Sequence, residues 1–207
     1  MQKRALIFDL DNTIYAVRSI GDKIFAPLLE LIAADDEQSL QMDKIRHEIM
    51  RRPFQMVAKD FNFSEELTSK GIELLSSIRF DGEIEPFSDY EIARTLPLDK
   101  FLVTTGFTNM QQSKVTGMNL DRDFKEIHII DPSSSTKTKK DVFEDIIKRH
   151  NYASPEVLVI GDDLHSEIKA ALELGISAVL YDKMNVYEND IPVPRITDFA
   201  ELADYLG

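Results

Sequence analysis

The chain holds 207 residues, 43% of them apolar, enough to bury a core as one large domain or as one domain carrying an inserted module. Its formal charge of −13, with 37 acidic against 24 basic side chains, argues against nucleic acid as a partner, and with no cysteine there is neither a disulfide framework nor thiolate chemistry. No run approaches the ~20 apolar residues of a membrane helix, and the one after Met1-Gln2-Lys3-Arg4 ends at Phe8, too short for a signal-peptide core. The expectation is a cytoplasmic protein for which no membrane and no protein partner is implied.

Ala5-Leu6-Ile7-Phe8 reads as a strand buried on both faces of a parallel sheet, opening at Asp9 into a polar loop. Ligands of open α/β sheets bind at that end. Alternation along a strand puts Asp9 and Asp11 on one side with Leu10 turned away, and Thr13 adds a hydroxyl two residues on. Two carboxylates so close repel each other, and a bound divalent cation is the usual way to keep both charged at neutral pH.

Beyond Tyr15 the pattern turns helical for about seventy residues. A first helix runs from Ile20 to Ile32, kinked or opened at Pro27. A second spans Leu40 to Met50, stopped by Arg52-Pro53, and a short third covers Phe54 to Phe61. The fourth, capped by Ser64 with Glu65 and Glu66 in its first turn, runs to Ile78. So many helices exceed what one crossover needs. Residues 16–87 are therefore expected to form an inserted small α-helical domain, and 1–15 with 88–207 the α/β core, the Gly and Pro of segment 80–88 marking the return.

A helix around Tyr90 to Leu96 follows, ended by Pro97. Strand 101–104, helix 111–118, strand 127–130, helix 140–149, strand 157–160 and helix 166–174 then alternate, with Gly175 as a C-cap glycine. Strand 178–181 and a short final helix, 199–206, complete the pattern, which predicts a Rossmann-like parallel sheet with helices on both faces.

Several of these strands end in chemistry. In Thr104-Thr105-Gly106 a hydroxyl can donate to a phosphate oxygen while the glycine lets backbone N–H groups approach it. The loop 131–140 offers Lys137, Lys139 and Lys140. Strand 157–160 discharges into Gly161-Asp162-Asp163, a second acidic pair that, with Asp9 and Asp11, suggests one shared cation whose hard oxygen ligands suit Mg²⁺. His165, close by, reads as a surface residue.

Taken in order, these motifs resemble those of the haloacid dehalogenase superfamily of phosphohydrolases. Asp9-x-Asp11-x-Thr13 matches its first motif. Thr104 matches the Ser or Thr of the second, although Thr105 replaces the common Asn. The third is a Lys six residues before a Phe, which counted back from Phe143 falls on Lys137, ahead of Lys139 and Lys114. Gly161-Asp162-Asp163 matches the fourth, with Glu167 in place of the usual Asp and read as lying behind the ligands.

The resemblance implies roles. Asp9 becomes the nucleophile that forms an aspartyl-phosphate, and Asp11 the acid and base, its backbone carbonyl helping to hold Mg²⁺. Asp9 and Asp162 ligate the metal, with Asp163 ligating directly or through water. Thr104 and Lys137 grip the phosphoryl oxygens, beside Thr105 and Gly106. Asp11 also separates a phosphatase from the superfamily's dehalogenases, which lack it. The insertion matches the superfamily's helical first-type (C1) cap, which favours a small phosphorylated metabolite, a nucleotide or a sugar phosphate.

Asn12-Thr13-Ile14-Tyr15 and Met118-Asn119-Leu120 look most like the pyrimidine 5′-nucleotidase branch, with Asn119 where that branch often has glycine. Tyr15, Arg18 and Lys23 are candidate substrate contacts. A sugar-phosphate phosphomutase would share every residue above. A phospho-Asp receiver module shares the Asp, Mg²⁺, Thr and Lys but neither the helical insertion nor Asp11.

Overall fold

The first strand, β1 (Ala5–Phe8), is wholly buried because it lies inside the sheet with apolar layers on both faces. Leu6 and Phe8 enter one apolar cluster, Ala5 and Ile7 the other, as strand alternation requires. The computed structural model describes residues 2–188 and 191–207. Among these, β1 joins β2 (Asp99–Thr105), β3 (Glu126–Ile130), β4 (Val157–Gly161), β5 (Ser177–Tyr181) and β6 (Arg195–Ile196) in one parallel sheet of order β3-β2-β1-β4-β5-β6. This is the doubly wound order, and its direction switches between β1 and β4, where a crevice opens at the carboxyl ends. Phe8 stands in register with Leu102 and Ile160, so Asp9, Thr104 and Asp162 leave the sheet on one rim. Strand β6 escapes the sequence reading because two residues after a proline carry no periodicity.

Six helices lie between β1 and β2: α1 (Arg18–Ile24), α2 (Ala26–Ala33), α3 (Met42–Ile49), α4 (Phe54–Asp60), α5 (Glu65–Ser77) and α6 (Tyr90–Thr95). The expected first helix is therefore two. Pro27 sits in the first turn of α2, where its missing N–H leaves no hydrogen bond unmade. Ser64 caps α5 as expected, its Oγ accepting from the Leu67 amide at 3.1 Å. Apolar side chains of α1 to α5 run into the same cluster as Leu6 and Phe8.

After β2 come α7 (Thr108–Gly117), α8 (Lys139–Arg149), α9 (Lys169–Glu173) and α10 (Ala203–Leu206). The helix expected over 166–174 starts instead as a π-helical turn, Leu164–Ile168, which bears on the site, and becomes α-helical only from Lys169. Gly175 ends α9 with φ of +65°, the left-handed C-cap that a glycine adopts freely. Asn119 holds φ of +55°, and asparagine tolerates that conformation better than most residues, which explains how it can stand where a glycine is common. No described helix is long and apolar enough to cross a membrane.

Candidate active site

Asp9 leaves the carboxyl end of β1 almost fully buried, and its Oδ1 accepts from Lys139 Nζ at 2.5 Å. Lys139 also donates to Glu167 Oε2 at 2.7 Å. Asp9, Asp162 and Glu167 each offer a carboxylate oxygen within 4.8 Å of the others. Burial pushes the Asp9 carboxyl up; Lys139 pulls it down, but Glu167 and Asp11 push it up again, and the net direction is upward. Asp162 is driven up by burial and then by repulsion from Glu167 and Asp9. Burial opposes the charge on Lys139, yet Asp9 and Glu167 hold it above the ordinary lysine range. Three crowded carboxylates around one ammonium are short of positive charge, and their hard oxygens fit a divalent cation such as Mg²⁺.

The cation at Asp9 is Lys139, not Lys137. Thr138 is the N-cap of α8: its Oγ1 accepts from the Asp141 amide at 3.3 Å, and Asp141 Oδ2 accepts from the Thr138 amide at 2.7 Å. That box makes Lys139 the first helical residue, turned inward, and leaves Lys137 exposed ahead of the cap. A lysine in a first turn is opposed by the helix dipole, and the two carboxylates it meets supply the compensation. Thr-x-x-Asp at 138–141 is the sequence signal for this register.

Glu167 stands in the carboxylate group rather than behind it. Its Oε1 accepts from the Asp163 amide at 2.7 Å while Oε2 holds Lys139. The fold-back depends on Gly161, where an added Cβ would lie 2.3 Å from Glu167 Cγ and Oε1. Asp163 instead caps the π turn, its Oδ1 accepting from the His165 amide at 2.8 Å, and lies outside that group; His165 is exposed.

Asp11 turns its side chain to a set of donors. Oδ1 accepts from Lys114 Nζ at 2.8 Å and from the Tyr15 hydroxyl at 2.5 Å, and Oδ2 accepts from Gln111 Nε2 at 2.8 Å. Burial works against the charge on Asp11, but Lys114, Tyr15 and Gln111 together bring its carboxyl below the ordinary range. Burial and Asp11 raise the Tyr15 phenol, so it stays a donor. Gln111 Nε2 also donates to Thr104 Oγ1 at 2.6 Å; with its oxygen accepting, the Thr104 hydroxyl keeps its own proton for another acceptor.

Gln111 and Lys114 lie one turn apart on α7, which brings both to Asp11, but nothing in the sequence distinguishes that spacing from an ordinary helix face. Tyr15 is thus a partner of Asp11 and lines no part of the cavity. Arg18 and Lys23 are exposed on α1, also away from it.

A cavity of about 130 Å³ lies over these groups. One side carries Asp9, Asp11, Thr104, Thr105, Gly106, Lys139 and Asp162; the other is built from the helices between β1 and β2, by residues such as Phe25, Ile49, Met50, Phe54 and Gln55.

Residues 6–181 match the family model for haloacid dehalogenase-like hydrolases. The chain belongs to that family. The glyceraldehyde 3-phosphate phosphatase of Pyrococcus furiosus is 27% identical over 105 residues, a match that takes in 51% of this chain and 41% of that relative's length. The HAD-hydrolase YfnB of Bacillus subtilis is 24% identical over 99% of this chain and 95% of its own. Its crystal structure, described as bound to magnesium, shares the fold with a TM-score of 0.67, 20% identity and complete coverage of both chains. The HAD phosphatase of Thermococcus onnurineus gives a TM-score of 0.65 at 18% identity, covering 99% of this chain and 98% of that one.

Proposed function

We propose that this HAD-like hydrolase is a Mg²⁺-dependent phosphomonoesterase that hydrolyses a small phosphorylated metabolite through an aspartyl-phosphate on Asp9. The observation that carries the reading is Lys139 bridging Asp9 and Glu167 beside Asp162, on the rim that also bears Thr104. A phosphatase among the relatives supports it. In this reading residues 16–87 form a cap domain over a core of 1–15 and 88–207.

An Asp9 oxygen attacks phosphorus in line as the bond to the leaving oxygen breaks. Asp11, a carboxylate in the free site, takes the proton that a phosphate monoanion brings and passes it to that oxygen, then takes one from the water that hydrolyses the aspartyl-phosphate. Lys139 and Thr104 hold the phosphoryl oxygens, whereas the Gly106 N–H is already given to the Ile130 carbonyl at 3.0 Å, so the glycine offers no donor there. Asp9, Asp162 and Glu167 would hold Mg²⁺, with Asp163 behind them and the Asp11 backbone carbonyl as a further candidate ligand. When bound, the metal supplies positive charge against the charge developing on the phosphoryl oxygens. The carboxylate of Asp11, poised beside the nucleophile, is what phosphoryl transfer needs and dehalogenation does not.

The pyrimidine-nucleotide reading rests on the sequence alone. The cavity is smaller than the roughly 300–1,000 Å³ of drug-sized sites, so a nucleoside would require the helices over it to draw back. The test is phosphate release from triose, sugar and pyrimidine nucleoside monophosphates, with Mg²⁺ and with excess EDTA. The proposal predicts metal-dependent release that Asp9→Asn abolishes. Isomerised sugar phosphate without free phosphate would identify a mutase instead.

A further inference from the structure

Gln111 joins two working parts of the site through one side chain. Its Nε2 lies 2.8 Å from Asp11 Oδ2 and 2.6 Å from Thr104 Oγ1, and the residue is almost wholly buried. An ionised carboxylate only accepts hydrogen bonds, so the atom facing Asp11 is the amide nitrogen, and its two protons go one to each partner. Thr104 therefore accepts, and its own proton is left over. Among the described residues nothing accepts from Thr104 Oγ1, and Thr104 lines the cavity above Asp9.

Helix α7 carries this amide on a fixed base. Thr108, its first residue, gives its backbone N–H at 2.8 Å and its hydroxyl at 2.9 Å to Asp131, just past β3. Asn109 Nδ2 donates to the Ser76 carbonyl at 2.9 Å, and Ser113 Oγ accepts from the Phe80 amide at 2.9 Å while donating to the Met110 carbonyl at 2.7 Å. The helix is thus tied to the sheet on one side and to α5 and the chain after it on the other, which preorganises what it holds. Gly106 completes the arrangement. Its N–H belongs to Ile130, and a Cβ there would stand 3.0 Å from Gln111 Cγ and Cδ, so the room that the glycine leaves is taken by the amide.

We propose that Gln111 is a positioning residue: with one N–H it holds the Asp11 carboxylate, and with the other it occupies Thr104 Oγ1 so that the threonine proton is left for a phosphoryl oxygen. Lys114 and Tyr15 reach Asp11 but not Thr104, so Gln111 alone among the described partners of Asp11 links the acid–base group to the phosphoryl clamp. A donor fixed in advance needs no reorganisation as charge develops on the phosphoryl oxygens. This inference rests on the phosphomonoesterase reading of the same site.

The test measures kcat/KM, which covers the steps up to transfer onto Asp9, for sn-glycerol 3-phosphate, whose leaving oxygen needs a proton, and for acetyl phosphate, whose leaving carboxylate does not. Gln111→Leu removes both donors, and Gln111→Glu keeps the shape but takes up the Thr104 proton. Each should lose about ten-fold or more on acetyl phosphate and more again on glycerol 3-phosphate, with folding checked by circular dichroism. Gln112→Leu, the same change at an exposed neighbour on α7, should match wild type. In a Thr104→Val background Gln111→Leu should cost less than about two-fold on acetyl phosphate, because the hydroxyl it orients is gone, yet still slow glycerol 3-phosphate through Asp11. Losses that multiply on acetyl phosphate, equal losses on the two substrates, or Gln111 variants at wild-type rates overturn the proposal.

Calorimetric titration with orthovanadate and Mg²⁺, in which vanadate stands in for the transferring phosphoryl group, gives a readout without turnover. Binding should weaken about ten-fold in Gln111→Leu and in Thr104→Val, and no further in the double variant. Equal binding by wild type and Gln111→Leu refutes the role. If wild-type protein releases no phosphate from acetyl phosphate, the hydrolase reading fails, while the titration still decides whether Gln111 sets Thr104.

Discussion

Lys139 lies within bonding distance of two buried carboxylates and near a third, so its loss should be felt both in folding and in chemistry. Removing one partner of a buried ion pair costs roughly 3–5 kcal/mol, because the charge left behind is unpaired. Removing a preorganised donor to a transferring group costs about 10²–10³ in kcat. Lys139→Met should therefore lose activity on that scale and melt lower, whereas Lys137→Met should keep kcat within about two-fold, since Lys137 touches neither Asp9 nor the cavity. Equal losses in the two variants would return the role to Lys137. Lys114 acts through Asp11. In Lys114→Met the Asp11 carboxyl loses the cation that lowers it, so the pH profile for an alkyl phosphate, whose alkoxide needs a proton, should move to higher pH by more than that for acetyl phosphate, whose acetate does not. An equal shift on both substrates, or none, would make Lys114 merely structural.

The elements show what a sequence can and cannot declare. Strand β1 and its Asp9, Asp11 and Thr13 were legible because a short apolar run stopped by paired carboxylates has few other readings. The same holds for β4 with Asp162, and for Thr104 at the end of β2. The lysine register was not, because a count from Phe143 ignores the capping box that starts α8. Glu167 joined the carboxylate group only through a π turn and the missing side chain of Gly161, neither of which has a periodic signature. The residues of α7 and α4 that face the cavity carry no motif at all; the fold alone brings them there.

At the outer edge, α8 is tied to β3 by Glu126. Its Oε2 takes Arg149 Nη2 at 2.6 Å and its Oε1 takes His150 Nε2 at 2.6 Å. Arg149 above all, followed by His150 and His128, holds the Glu126 carboxyl well below its usual range, against the effect of burial. A depressed folded pKa contributes stability above the ordinary glutamate range, near 4.3, and loses it as pH falls below. The melting-temperature gap between wild type and Arg149→Met should thus be constant above pH ~5.5 and shrink as pH drops through about 4 and below. A gap that widens in acid would contradict this assignment.

Across the whole molecule, an acidic chain of net charge −13 gathers Asp9, Asp162 and Glu167 at the rim where β1, β2 and β4 end. On the proposed reading a bound cation offsets that repulsion, so Mg²⁺ should stabilise the fold itself. A ligand at a hundred times its Kd adds roughly 2.7 kcal/mol, which for a domain of this size raises Tm by about 5–10 °C. Asp162→Asn should lose most of that rise, and EDTA should remove it from wild type. An unchanged melting temperature with and without Mg²⁺ would mean that Asp9, Asp162 and Glu167 hold no metal.

On the proposed mechanism Asp9 becomes phosphorylated in turnover. That step is tested most directly by acid-quenching the enzyme milliseconds after mixing with glycerol 3-phosphate and Mg²⁺, then locating the phosphoryl group by peptide mass spectrometry. An acyl phosphate on Asp9 should form before free phosphate accumulates, and should vanish in Asp9→Asn together with turnover. Phosphate release in the absence of any phosphorylated Asp9 peptide, or undiminished turnover by Asp9→Asn, would contradict it.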